Sequence, residues 1–185
     1  MGKFDLYRVD LKRMEEDILK YEYLLDNQFF INIDEEAVQK GRVKVTLTES
    51  KRKGFFDFAF VLSGIAVVSC DRCLDDMDLP IETTAHLIVK FGKDFAEESD
   101  EIIVIPESEG NINLAWFLYE FVVLAIPLKH IHDSGKCNKH MAAELKKHSA
   151  KSEDDDSFDS DMDGDLNVGD TDPRWDALKD FTGEN

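Results

Sequence analysis

The sequence predicts an α+β fold: an antiparallel β-meander packed on one buried apolar helix, followed by an acidic disordered linker. Three observations carry this expectation. Residues 42–91 alternate apolar and polar side chains, residues 112–126 form one apolar run closed by Pro127, and from residue 150 onward aspartate and serine replace the apolar residues a core needs.

Taken in order, residues 4–11 read as a strand, residues 11–19 as a helix and residues 21–33 as extended chain. Val43, Val45 and Leu47 then alternate with Arg42, Lys44 and Thr46, the period of a strand with one buried face. Lys51, Arg52, Lys53 and Gly54 make a turn into residues 55–62, so the two strands should pair as a hairpin. Residues 65–69 add a further short strand that ends at Cys70. Beyond it, Leu79, Ile81, Ala85, Leu87, Val89 and Phe91 fall on one face, with Glu82, Thr84, His86 and Lys90 on the other. Residues 92–101 read as an acidic loop and residues 102–105 as a short strand. Asn111 or Asn113 is suited to cap the apolar helix, which carries only Glu120 and the Tyr119 hydroxyl as polar groups and should therefore lie buried against the sheet. A more polar helix is expected over residues 136–148. The chain thus divides into a domain over residues 1–149, a flexible acidic linker over residues 150–171 and a short amphipathic box over residues 172–185, where Trp175, Leu178 and Phe181 recur at helical spacing.

Charge and cysteine content narrow the function. The formal net charge is −18, and residues 151–185 hold 13 acidic against 3 basic side chains. That balance opposes loose attraction to phosphate backbones and suits a basic protein as partner, or a local basic patch on a repelling surface. The longest apolar run is too short to span a bilayer, which needs about 20 residues, and no leader is expected, so neither membrane nor DNA is anticipated as partner. Three cysteines in such a chain favour reduced thiols or a metal over a disulfide framework, and cytoplasmic residence follows.

Four constellations are candidates for chemistry. Cys70 and Cys73 form C-x-x-C at a strand end, where thioredoxin-like redox chemistry would want a helix start instead. The turn is first of all a structural corner with packed thiols. The other open reading is half of a zinc site completed by Cys137 and His140, themselves C-x-x-H, at a long separation. His130, His132 and Asp133 could serve a general base, yet no matched nucleophile or phosphate loop accompanies them, and a loop-fixing imidazole is the simpler reading. Asp159, Asp161, Asp163, Gly164 and Asp170 imitate a calcium-binding EF-hand loop, without flanking amphipathic helices and with aspartate in place of the closing glutamate. Lys40, Arg42, Lys44, Lys51, Arg52 and Lys53 cluster on the first hairpin, offset only by Glu49; they suit either phosphate contact or protection of a sheet edge.

The order of these pieces resembles a known family. Cys70, Arg72 and Cys73 closing a hairpin, an apolar helix running into Pro127, His132 and Cys137, and a terminal Asp172, Pro173 and Arg174 are together similar to the YceD family of large ribosomal RNA subunit accumulation proteins. The resemblance covers roughly residues 41–137 and the last box. It implies a non-enzymatic factor in large-subunit biogenesis, whose partner is large-subunit ribosomal RNA or a basic large-subunit ribosomal protein. Arg42, Lys44, Lys51, Arg52, Lys53, Arg72 and His132 are the residues expected to meet that partner. Some relatives have a fourth cysteine shortly after the position of Cys137, where this chain offers His140. The alternative is a zinc- or calcium-responsive protein-binding module unrelated to ribosomes.

Overall fold

The alternation of residues 42–91 folds as three long strands that form the spine of a six-stranded sheet. The computed structural model describes residues 2–148, residues 15 and 134 excepted, and all but His148 belong to one unit, Met1–Lys147. In chain order, β1 is Arg8–Asp10, β2 Ile18–Leu25, α1 Asn27–Ile33, β3 Lys40–Arg52, β4 Phe55–Ser69, β5 Asp76–Gly92, β6 Ala96–Ser99, β7 Ile102–Pro106, β8 Asn111–Asn113, α2 Ala115–Leu124 and α3 Lys139–His148. The sheet order is β2-β3-β4-β5-β7-β6. Its first four strands are the expected antiparallel meander. β7 then inserts parallel to β5, and β6 closes the edge antiparallel to β7. A separate two-stranded ribbon pairs β1 with β8.

One sheet face is dry. Val43, Val45 and Leu47 of β3, Phe58, Phe60 and Leu62 of β4, and Ile81, Leu87 and Val89 of β5 are all buried on it, as period-two strands require. α2 packs on this face through Ala115, Leu118, Tyr119 and Val122, with Phe121 against Phe60 at 5.1 Å between ring centroids and Tyr119 against Phe30 at 6.5 Å. Each large apolar side chain buried there stabilises by roughly 1.5–3 kcal/mol. The N-cap is Leu114, which offers no side-chain cap, rather than Asn111 or Asn113; Asn113, one residue earlier, accepts the Ala115 N–H at its Oδ1 at 3.0 Å. α2 is not enclosed on every side, however, since Trp116 is 47% and Leu124 81% exposed.

Several local expectations change. Residues 21–33 are extended only as far as Leu25; Asp26 Oδ1 then accepts the Phe29 N–H at 3.0 Å and starts α1, which ends where Asp34 turns left-handed at φ 63°. The described part of residues 11–19 is a turn leading into β2, not a helix. β4 runs unbroken through Gly64, because the Arg42 carbonyl and Val43 Cα lie where a Cβ would sit, so a residue without one lets β3 approach closely. The acidic segment after Gly92 contains β6. Among the described residues no helix is long and apolar enough to cross a membrane.

Candidate metal centre

Hairpin geometry builds the cysteine corner. β4 and β5 pair up to Ser69↔Asp76, and the six residues between them close through Cys70 N–H to the Asp75 carbonyl and Leu74 N–H to the Cys70 carbonyl, both 2.9 Å. Leu74 takes a left-handed φ of 63° to complete the turn. Cys70 and Cys73 are buried, while Arg72 and Leu74 point outward.

The segment leaving α2 docks onto that corner. The Asp71 N–H donates to the His130 carbonyl at 3.0 Å, and the His130 N–H returns a bond to Asp71 Oδ2 at 2.7 Å. The His130 ring reaches the same carboxylate at 3.5 Å. This reciprocal clamp carries His132 and Cys137 to the thiols: Cys73 Sγ is 3.4 Å from His132 Nδ1, and Cys70 Sγ is 3.9 Å from Cys137 Sγ. Together Cys70, Cys73, His132 and Cys137 place one ligand atom each within 4.8 Å of one another.

That donor set fits zinc. With Zn–S near 2.3 Å and Zn–N near 2.05 Å, the edges of a tetrahedron are about 3.8 Å between sulfurs and about 3.6 Å between sulfur and nitrogen. The two distances above lie within a few tenths of an ångström of those edges. Three thiolates and an imidazole are soft or borderline ligands, and the closed, four-ligand arrangement is that of a structural site rather than a catalytic one. The backbone also prepares the anion. Burial pushes the Cys70 thiol up, but N–H donors of His132, Arg72 and Cys73 outweigh it and bring the thiol down to about 6; two of these are 3.4 Å bonds to Sγ. His132 is pushed above its ordinary value by hydrogen bonds to Cys70 and then Cys73. Burial, and next the neighbouring Cys73 and Cys70, push Cys137 up. A cation placed among the three sulfurs would relieve that crowding of negative charge.

His140 is not in this group. Cys137 is followed by the start of α3, on which His140 is exposed, with its N–H bonded to Asn138 Oδ1 at 3.0 Å. His132 stands in its place. His130 and His132 both meet the cysteine turn, through Asp71 and Cys73 respectively. Asp133 pairs with Lys136 at 2.8 Å, which holds its carboxyl below the usual range; no His132–Asp133 dyad forms. Pro127 is exposed and its carbonyl accepts from His130 Nδ1 at 3.1 Å.

The basic residues spread along β3, with Lys40 beside the cysteine corner and Lys51 and Arg52 at the opposite end of the strand. Arg42 and Lys44 are exposed on β3, and Lys51, Arg52 and Lys53 are exposed at the β3–β4 turn. Lys40 sits 3.2 Å from Asp76 and Lys44 3.7 Å from Glu22, so carboxylates answer two of the cations. Arg42, Lys51, Arg52 and Lys53 make no ion pair among the described residues. Glu49, expected to offset the cluster, instead turns inward and is fully buried. The EF-hand-like aspartates, the linker, and Asp172, Pro173 and Arg174 lie outside the described residues.

No curated protein and no solved structure matches the chain. One family model does, that of the large ribosomal RNA subunit accumulation protein YceD, over residues 58–182. This span begins in β4, takes in the cysteine corner, α2 and the docking segment, and continues past the described residues. With well over half its length matched, the chain belongs to the YceD family.

Proposed function

We propose that the protein acts without catalysis in the accumulation of large-subunit ribosomal RNA, in the cytoplasm, by holding a basic large-subunit ribosomal protein. The family description supports the pathway. The observation that carries the mode of action is electrostatic: Asp76 and Glu22 already answer Lys40 and Lys44, on a chain of net charge −18. RNA gripped by its phosphates needs clustered, unspent cations, whereas a cationic protein is drawn to such a surface. In this reading the metal centre is a brace. It pins the end of α2 to the β4–β5 hairpin, and Cys70, Cys73, His132 and Cys137 hold zinc without acting on a substrate.

One observation favours a second reading, direct contact with ribosomal RNA: Lys51, Arg52 and Lys53 stand exposed and without an ion pair among the described residues at the hairpin end, with Arg42 exposed further along β3. Binding of the full chain to a purified basic large-subunit protein and to large-subunit rRNA fragments, each titrated against salt, separates the two. The expected result is protein binding with rRNA binding weak throughout. If rRNA binds tightly and the change of Lys51, Arg52 and Lys53 to Glu flattens its log–log salt slope by about 2–3, the RNA reading replaces the first.

A further inference from the structure

A groove runs between the β6–β7 edge of the sheet and the outer side of α2. It has a volume of about 660 Å³, within the usual range of ligand clefts, about 300–1,000 Å³. Ile103, Phe117, Phe121 and Val123 contribute its apolar lining, and Trp116 and Leu124 stand exposed along it. A helix with no basic residue and so much uncovered apolar surface is unusual for a lone soluble domain, and such patches mark interaction sites. Val123 also lines a second groove of about 420 Å³, which continues past Leu128 to Leu74 at the cysteine corner.

The rim is acidic and unspent. Glu97, Asp100 and Glu120 line the groove, and none of them forms an ion pair among the described residues. Glu98, on the same strand, is taken by Lys90 at 2.9 Å. Glu120 accepts the Trp116 indole N–H at 2.6 Å, which holds the ring beside the groove with a carboxylate next to it. All four residues of β6 are exposed.

We propose that this groove is the docking site for a basic amphipathic segment of a partner protein, its apolar side laid on Trp116 and Leu124 and its lysines or arginines against Glu97, Asp100 and Glu120. An apolar floor alone would accept many occupants; the three carboxylates, none of them ion-paired among the described residues, select a cationic one and repel a nucleic acid. α2 is 10 residues, about 15 Å long, enough to meet two to three turns of a docked helix, with anchors at positions i, i+3 or i+4, and i+7. The inference deepens the protein-partner reading above, on which it rests, by giving that partner's place.

The test uses the full chain and a fluorescently labelled synthetic peptide carrying leucines on one helical face and lysines and arginines on the other. Anisotropy should report binding that weakens tenfold or more in Leu124→Ser, and similarly in the double variant Glu97→Lys with Asp100→Lys. Asp78→Lys with Glu82→Lys makes the same charge change on the opposite, wet face of the sheet and should leave binding within twofold. These side chains are exposed, so the variants should fold. Equal weakening by both charge variants would overturn the proposal, as would indifference to Leu124→Ser or equal binding of an uncharged leucine-bearing peptide. So would an oligoribonucleotide whose binding Leu124→Ser weakens, or self-association of the chain that Leu124→Ser abolishes. A purified basic large-subunit protein is measured in parallel. If it binds all variants equally, the groove assignment fails while the function above stands.

Discussion

Replacing Cys70 with serine tests whether the corner holds a metal and how much the fold depends on it. Cys70 is buried, its Sγ lies 3.9 Å from Cys137 Sγ, and it accepts backbone N–H groups from Arg72 and His132. Serine keeps those two donors partnered but is a poor zinc ligand, leaving three donors where a structural site needs four. Structural zinc in finger peptides is bound with apparent free energies of about 10–16 kcal/mol, yet this unit has its own core, so only the part expressed by mass action reaches global stability. At a free zinc concentration about a thousandfold above the dissociation constant, that part is about 4 kcal/mol. A unit of this size shifts by about 2–4 °C for each kcal/mol, so chelation should lower the melting temperature of the wild type by about 8–16 °C. Elemental analysis and thermal unfolding with and without chelator provide the assay. The expected result is close to one zinc per wild-type chain, little in Cys70→Ser, and a chelator-sensitive melting temperature only in the wild type. Wild-type metal content in the variant, or a wild-type melting temperature indifferent to chelator, would refute the reasoning.

Three further outcomes follow from the same geometry. His132→Ala should release the metal and His140→Ala should retain it, measured as zinc per chain; full zinc content in His132→Ala would remove His132 from the ligand set. Glu49 is buried with no hydrogen-bond partner on either carboxylate oxygen among the described residues, and burial pushes its carboxyl up; a folded-state value above the unfolded one stabilises below the unfolded value and is lost as pH rises through the folded one. Glu49→Gln should therefore stabilise by about 1–3 kcal/mol at neutral pH, with the gain vanishing in acid, in urea titrations across pH; a pH-independent difference would contradict this. Leu118→Ala, at a fully buried contact of α2 with the sheet, should cost about 2–5 kcal/mol by the same method, and a cost below about 1 would mean α2 is not part of the core.

What could be read from the chain, and what could not, divides by sequence distance. The β3–β5 meander was legible because period-two alternation is local, and α2 because an apolar run stopped by Pro127 has few other solutions. α1 is less legible: Asp26 is a good cap, but Phe29 and Phe30 fit a strand as well as a helix and seven residues leave little room for a helical period. The parallel insertion of β7 depends on pairing that no local pattern encodes. The same limit explains the ligands. C-x-x-H favoured His140 because it is near Cys137, whereas α2 returns the chain so that the Asp71–His130 clamp delivers His132. The spacing of Pro127, His132 and Cys137 held that signal, but as a family motif and not as a ligand set. Ion pairing of Lys40 with Asp76, 36 residues apart, was equally out of reach, and it alters what the basic hairpin can do.

The ribosome profile of cells lacking this chain measures the central claim most directly. Sucrose-gradient sedimentation should show a deficit of free large subunits and of their ribosomal RNA, restored by the wild-type chain and not by Leu124→Ser. A profile indistinguishable from that of the parent cells, with large-subunit RNA at its normal level, would contradict a role in large-subunit accumulation.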